Sequence, residues 1–441
     1  MTAVERSRPR VGEHPAAVMI DSVPSADRVR DFSVRRREPE WMLRFRLKAL
    51  ERFRSEGVPA WAHFLNRVEF DRFLEPAPDR PLSTRPTDAA LATGFAALGE
   101  SEAAYRVVRQ ELETQGVHFL STEAALAEHP DLFREVFTSA VAIDDNPLAA
   151  LNAALWSGGS FVYVPPGVRV EAPLQAEIRA DYGEVEPFER HLILADRGSE
   201  VTYIEGCSAP VYTPDELHVS AIEVVARPGA RVRYIAIQNF SKKVDNLVTK
   251  RAVVQEGASV EWVDANLGAR RMWKVPVADL VGPDASAEII GFALAGKGQH
   301  VDVGGIVRHR APRTRSRIVQ RMVAREGGEA TLHTDVEAAK GASGASSSID
   351  WSTLLLDSLS RTETVPRIEL DEADAEIAQE GVARTASEEM LFYLTSRGLT
   401  GDEAVRMIVL GLAEVATKRI PFEFAIEVNR IIELDLGEAI G

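Results

Sequence analysis

The 441-residue chain carries one cysteine, Cys207. A single thiol excludes an intramolecular disulfide framework and any self-contained four-cysteine zinc or iron–sulfur centre. Positive charge is also scarce: 51 Lys and Arg stand against 67 Asp and Glu, a net charge of −16. Charge-driven binding to nucleic acid needs a basic footprint, so no nucleic-acid partner is expected. No run approaches the ~20 apolar residues of a membrane span, so no membrane partner is expected either. The opening Met1-Thr2-Ala3-Val4-Glu5-Arg6 has no apolar leader segment, which leads us to expect a cytoplasmic protein. The Gly-x-Ser-x-Gly elbow of Ser-His-Asp hydrolases is missing. What remains is an ordinary globular composition, 45% hydrophobic and 27% charged.

Charge and periodicity divide the chain. Residues 1–60 hold 13 basic and 9 acidic side chains, whereas residues 361–441 hold 8 and 17. Scattered Arg and Pro without periodicity make residues 1–35 a flexible tail. Residues 36–140 read as a helical region. Trp41, Leu43, Phe45, Leu47 and Leu50 form an amphipathic helix after Pro39, Pro-rich coil surrounds 76–86, and helices follow at 100–115 and, capped by Ser121, at 122–128.

From about 141 to 365 the pattern becomes short strands closed by turns. Gly198-Ser-Glu-Val-Thr-Tyr203 is echoed from Gly229, Gly257 and Asp284, at offsets of 31, 28 and 27 residues. Each unit alternates apolar and polar side chains, as a strand with one buried face requires. Units this short bury a core only by stacking. The fold class expected is mainly β, a right-handed parallel β-helix flanked by helical ends. A β-sandwich shares the turn density but not the near-constant period.

Residues 366–441 return to a 3.6-residue period and form a C-terminal helical domain. Ser387 is placed to cap one helix and Thr400-Gly-Asp-Glu403 to box the start of a second, carrying Val405, Ile408, Leu412 and Val415. Pro421 opens a third, with Phe424, Val428, Ile431 and Leu434 on one face.

Few motifs carry chemistry. Gly291-Phe-Ala-Leu-Ala-Gly296-Lys297 has phosphate-loop spacing, but Gly298 stands where a Ser or Thr should bind Mg²⁺ and no helix follows. It reads as a solenoid turn, and any ATP hydrolysis belongs to a partner. His300-Val-Asp302 and His333-Thr-Asp335 place His and Asp on one strand face without a third ligand; surface hydrogen bonding is the simpler account. Acidic residues and aromatics do not repeat along one wall, as a carbohydrate-acting solenoid would need. Cys207, between Gly206 and Ser208 near a strand end, is the only soft ligand or sulfur nucleophile.

Longer segments carry a resemblance. Glu38-Pro-Glu-Trp-Met-Leu43, Trp156-Ser-Gly-Gly-Ser-Phe-Val-Tyr-Val-Pro165, Glu205-Gly-Cys-Ser-Ala-Pro210, Asn246-Leu-Val-Thr-Lys-Arg251, Gly296-Lys-Gly-Gln-His300 and Leu391-Phe-Tyr-Leu-Thr-Ser-Arg-Gly398 are long and unusual. From about Glu38 to Gly441 the chain resembles the SufB/SufD family of iron–sulfur cluster assembly proteins, its SufB branch above all. The resemblance implies a non-enzymatic scaffold of the SUF system that accepts sulfur and builds a transient iron–sulfur cluster for transfer. It implies as partners a SufC-type ABC ATPase docked on the C-terminal helices, a SufD-type subunit or a second copy of the chain, and a sulfur-donating cysteine desulfurase system.

The family's sulfur-accepting cysteine is matched by Cys207, and the residues of its sulfur path by Arg179, Gln238 and Lys250. Arg179, 28 residues before Cys207, and Lys250, 43 after it, are the expected sources of positive charge that would lower its thiol. Asp181 replaces the usual Asn and Phe240 the usual Trp. The family's His-Glu pair falls on Gln379-Glu380, leaving Glu380 with Cys207 as the expected iron ligands. Leu370 stands where some members carry a second cysteine. A neutral amide is a weak iron donor. Two readings therefore stay open, a working scaffold with a modified site and a SufD-like structural partner or diverged paralogue that holds no cluster.

Overall fold

The computed structural model describes residues 17–74, 91–93, 112–179, 188–208, 216–386 and 388–437. The expected coil at 76–86, the helix at 100–115 as far as residue 111, Asp181 and the Ser387 cap lie outside them.

Strands alternate between two walls. Phe188–Ala195, Glu216–Ala226 and Val244–Val254 stack in parallel on one. Glu200–Ser208, Arg231–Phe240 and Ser259–Gly268 stack on the other. Because the chain crosses over after each strand, residues one coil apart become neighbours: Tyr203 beside Tyr234, Tyr234 beside Trp262, Trp262 beside Ile289. Nine strands on one wall and ten on the other make a parallel β-solenoid of about 7 turns. The small residue opening each repeat is there for its backbone. Gly198, Gly229, Gly257 and Asp284 have φ of 67°, 73°, 62° and 61°, left-handed values that favour glycine. Asp284 holds that conformation with its carboxylate clasped by Arg313 at 2.8 and 2.6 Å.

The solenoid runs further than the strand pattern suggests. Arg361–Leu370 and Glu376–Thr385 continue both ladders, so residue 365 lies inside a strand rather than at the core's edge. Both strands are largely exposed, and without a covered face their alternation fades. At the other end, His118–Ser121 and Leu91–Thr93 close the walls with antiparallel pairs.

The tail expected at 1–35 is structured where it is described. A helix spans Ala26–Arg35, capped by the Ser25 side chain and buried through Val29 and Phe32. Its scattered arginines hide a short apolar stripe. Arg46, on the next helix (Glu40–Glu56), is fully buried and binds Glu38 at 2.6 and 2.7 Å. It also donates to the carbonyls of Ala154 and Trp156, tying the helical region to the solenoid's first coil.

The C-terminal helices Glu388–Thr395, Gly401–Thr417 and Phe422–Gly437 follow, the second opened by the Thr400–Glu403 capping box. They cover the outer face of one wall at Ile204, Ile235, Val263 and Phe292. Val409, Ala413 and Ala416 are the buried residues there, one position round from the expected apolar stripe, because small side chains let helix and sheet approach. In the third helix Val428 and Ile432 are buried and Leu434 is exposed. Among the described residues no helix is long and apolar enough to cross a membrane.

Removing Arg46 takes from buried Glu38 its bidentate partner and leaves it Arg36 at 3.5 Å and the Ser33 hydroxyl at 2.8 Å. Breaking a buried pair typically costs about 3–5 kcal/mol, and the remaining partners put this site at the lower end. Arg46→Ala is expected to lower the unfolding free energy by about 3 kcal/mol, and a value within experimental error of wild type would contradict the tether.

Candidate functional site

Alternate residues of every strand face the solenoid's interior, and in most coils these are apolar: Ile289, Ile318 and Ile349 continue the column of Tyr203, Tyr234 and Trp262. Between about 189 and 274 the same inward positions are polar. Unpaired charge in such a core is expensive. Here it is paired throughout.

Lys250, with no exposed surface, reaches across the interior to Asp264 on the facing wall at 2.7 Å. Lys274 approaches the same carboxylate at 3.1 Å. The Lys250 ammonium lies 4.7 Å from the Tyr234 ring centroid and 4.6 Å from that of Trp262, a cation–π cradle. The Tyr234 hydroxyl donates to Glu205. Burial pulls the Lys250 ammonium below its ordinary value, against the opposing pull of Asp264. Burial alone would raise Asp264 and Glu205. The two lysines hold Asp264 below the usual carboxylate range; His191, Lys250 and the Tyr234 hydroxyl do so for Glu205.

A second cluster adjoins the first. Glu189 accepts from His218 at 3.0 Å and from His191 at 3.4 Å. His191 Nδ1 accepts from the Ser160 backbone N–H, so its proton sits on Nε2, toward Glu189. The Ser160 hydroxyl bridges His191 and Tyr203 at 2.9 and 2.6 Å. The other nitrogen of His218 meets Asn246 Oδ1 at 2.8 Å, and Asn246 Nδ2 donates to Gln238 Oε1 at 2.8 Å. Burial would raise the Glu189 carboxyl, but hydrogen bonds from the two histidines bring it down to about 2. Burial would lower His218, yet its hydrogen bond to Glu189 raises it.

The strand register places the expected site residues. Cys207 pairs in register with Ile178 on one side and Gln238 on the other, and Asn266 continues this row of paired positions. Gln238 is completely buried. Lys250 is inside, as the sulfur-path expectation needs, but its nearest partners are Asp264 and two aromatic rings. Arg179 pairs with Ser208 instead of Cys207. The spacing between these strands is 29, not 28. Phe240, in the usual Trp position, packs its ring 5.2 Å from that of His218.

Glu380 is exposed on the last strand of the Cys207 wall, paired with Asp350. From Glu200–Ser208 the order along that wall passes through the strands starting at Arg231, Ser259, Ser286, Arg315 and Ser346 before reaching Glu376. Six steps of ~4.8 Å separate the two residues by roughly 29 Å, so one chain does not bring Glu380 and Cys207 onto one iron. Gln379 follows Ile349 in its column at the open end, and Leu370 lies exposed on the last strand opposite.

The remaining candidates resolve as surface or structural features. His300 pairs with Glu329 at 3.2 Å, and His333 pairs across strands with Asp302 at 2.7 Å rather than with Asp335. Among the described residues no group of three or more His, Cys, Asp or Glu side chains is arranged to hold a metal ion. The phosphate-loop lookalike is a strand ending in a turn, with Gly298 at φ 72°. Glu189, His191, His218, Asn246, Asp264 and Lys274 were not singled out from sequence. Their signal is a polar side chain at an inward position, which needs the register before it can be seen.

A parallel solenoid whose first coils enclose a charge-balanced interior belongs to the β-helix proteins. Residues 178–412 match the family described as "SUF system FeS cluster assembly, SufBD core domain", and residues 101–176 the "SufBD protein N-terminal region". The chain is 40% identical to "Iron-sulfur cluster assembly protein SufB" of Bacillus subtilis over 432 residues, 94% of this chain and 93% of that protein. It is 41% identical to a SufBD family protein of Staphylococcus haemolyticus over the same shares. The chain belongs to the SufBD family of iron–sulfur cluster assembly proteins.

Glu189 gives the site a pH signature. Its carboxyl sits near 4.5 when unfolded and about 2 when folded. A depressed acid contributes fully above the unfolded value and loses its contribution as pH falls through the folded one. Glu189→Gln is therefore expected to flatten the fall in unfolding free energy between about pH 4.5 and 2, and a slope equal to wild type would contradict the assignment.

Proposed function

We propose that the chain is a SufB-like scaffold subunit, not itself an enzyme, that accepts sulfur on Cys207 and builds a nascent iron–sulfur cluster as cargo for apo-proteins. The observation that carries this reading is the strand register that pairs Cys207 with buried Gln238, next to the only strongly charged stretch of solenoid interior among the described residues. Charge inside a solenoid serves an anionic sulfur better than it serves a fold. Gln238 and Lys250 fit the sulfur path that the family resemblance implies. Arg179 fits it less well, being one register position away.

Exposed apolar side chains support the partner assignments. Phe392, Tyr393, Met407, Phe422 and Ile426 stand out from the C-terminal helices, where a SufC-type ATPase would dock. Ile368, Leu370 and Val382 line the open last coil, whose unpaired strand edges need covering by a SufD-type subunit or a second copy. Glu380, on that coil, would then be an iron ligand shared with the neighbouring subunit. A cysteine desulfurase system would supply the sulfur, in the cytoplasm.

The second reading, a SufD-like structural partner that holds no cluster, draws on Gln379 and Leu370 and on the distance between Glu380 and Cys207. Anaerobic reconstitution of the assembled complex with iron and sulfide separates the two. The scaffold reading expects charge-transfer absorbance that Cys207→Ser abolishes, and native-state alkylation of Cys207 with a midpoint well below the ~8.5 of a free thiol. No absorbance with all partners present, or a thiol unreactive until the chain unfolds, would overturn it in favour of the structural reading.

A further inference from the structure

The hydrogen-bond partners of His218 fix both of its ring protons. Glu189 is a carboxylate that only accepts, and it takes one ring N–H at 3.0 Å. Asn246 uses its amide N–H on Gln238 Oε1, so its own oxygen must face His218 Nδ1. Both ring nitrogens therefore donate, and His218 is an imidazolium. The reverse arrangement, with an unprotonated Nδ1, requires both amides to turn over and brings Gln238 Oε1 where Nε2 now is. With Asn246 holding its oxygen, the Gln238 Nε2 donor is buried and has no partner. A buried donor left unpaired is destabilising, so in a fully buried residue it points to a missing acceptor. Gln238 is the register neighbour of Cys207.

We propose that Glu189, His218 and Asn246 are positioning residues that hold the Gln238 amide with its N–H donor free on the Cys207 wall, ready for an anionic sulfur. The proposal rests on the sulfur-acceptor reading of Cys207 and adds the groups that act through Gln238. In the step they assist, the Cys207 thiolate attacks the terminal sulfur of a polysulfide. A new S–S bond forms on Cys207, the bond behind that terminal sulfur breaks, and the shortened polysulfide leaves with the electron pair. No further oxidant or reductant is consumed, and the sulfur now on Cys207 keeps the anionic character that a donor stabilises. The groups facing the His218 ring are Glu189, Asn246 and Phe240, with Glu205 adding to the pull that keeps it protonated.

Asn246→Asp is the discriminating change. An aspartate still accepts from His218 but cannot donate to Gln238, so the Gln238 amide must turn and present its oxygen. Gln238→Met, with no polar atom, removes the donor by a second route. The probe is inorganic polysulfide added to the full-length chain, with native mass spectrometry following the gain of one sulfur at Cys207. Both variants are expected to take up sulfur at least tenfold more slowly, with the pH midpoint of the rate moved upward and the thermal midpoint of Asn246→Asp close to wild type. A merely structural role would lower the thermal midpoint and leave the pH midpoint in place, and that result overturns the proposal. Uptake by both variants at the wild-type rate and pH midpoint also overturns it, while the sulfur-acceptor reading stands. A wild-type chain that gains no sulfur overturns that reading and the proposal together.

Discussion

Asp264 sits between two buried lysines, and the interior of the first coils is organised by that one carboxylate. Without it Lys250 and Lys274 would be cations in a desolvated core, which no solenoid tolerates. With it, Lys250 is drawn across the interior and laid against Tyr234 and Trp262. Glu205 and Glu189 then find their own counter-charges in Lys250 and His218. Three carboxylates and three cationic groups balance in a volume closed to solvent. Each is costly alone.

The solenoid makes this possible because it builds columns. Every inward position is repeated one coil later, so a polar residue tolerated in one coil meets another in the next. The two walls bring side chains of different strands together across the interior, as with Lys250 and Asp264. The later coils continue the column with Ile289, Ile318 and Ile349, where apolar packing replaces the charges of the first coils. The helices covering both outer faces keep the wall positions of the polar coils fixed.

Much of this was legible in the sequence. The turn-to-column distance is nine residues in three repeats: Gly198 to Cys207, Gly229 to Gln238 and Gly257 to Asn266. Aligning the turns therefore lines up the register of Cys207, Gln238 and Asn266 without any structure. Arg179 lies one position off that register because its turn breaks the count: Gly167 has the same left-handed φ of 71°, but Ile178, the partner of Cys207, is eleven residues after it and not nine. Glu189 and His218 were hidden for another reason. Their strands are covered on the outside as well, by the helix Pro147–Leu155, so both faces are buried and the period-two signal that marks inward positions disappears. The exposed final coil failed in the opposite way, with neither face covered.

The central claim is that the charged interior is kept for chemistry and not to hold the fold together. Replacing buried ion pairs with apolar groups of similar volume is often neutral or stabilising by about 1–4 kcal/mol. The direct measurement is the unfolding free energy of the chain carrying Lys250→Met, Asp264→Leu, Lys274→Met and Glu205→Gln together, a charge-balanced set that keeps an acceptor for the Tyr234 hydroxyl. A value equal to or above wild type is the expected result. A loss of several kcal/mol would mean that these charges hold the solenoid together, and would contradict the claim.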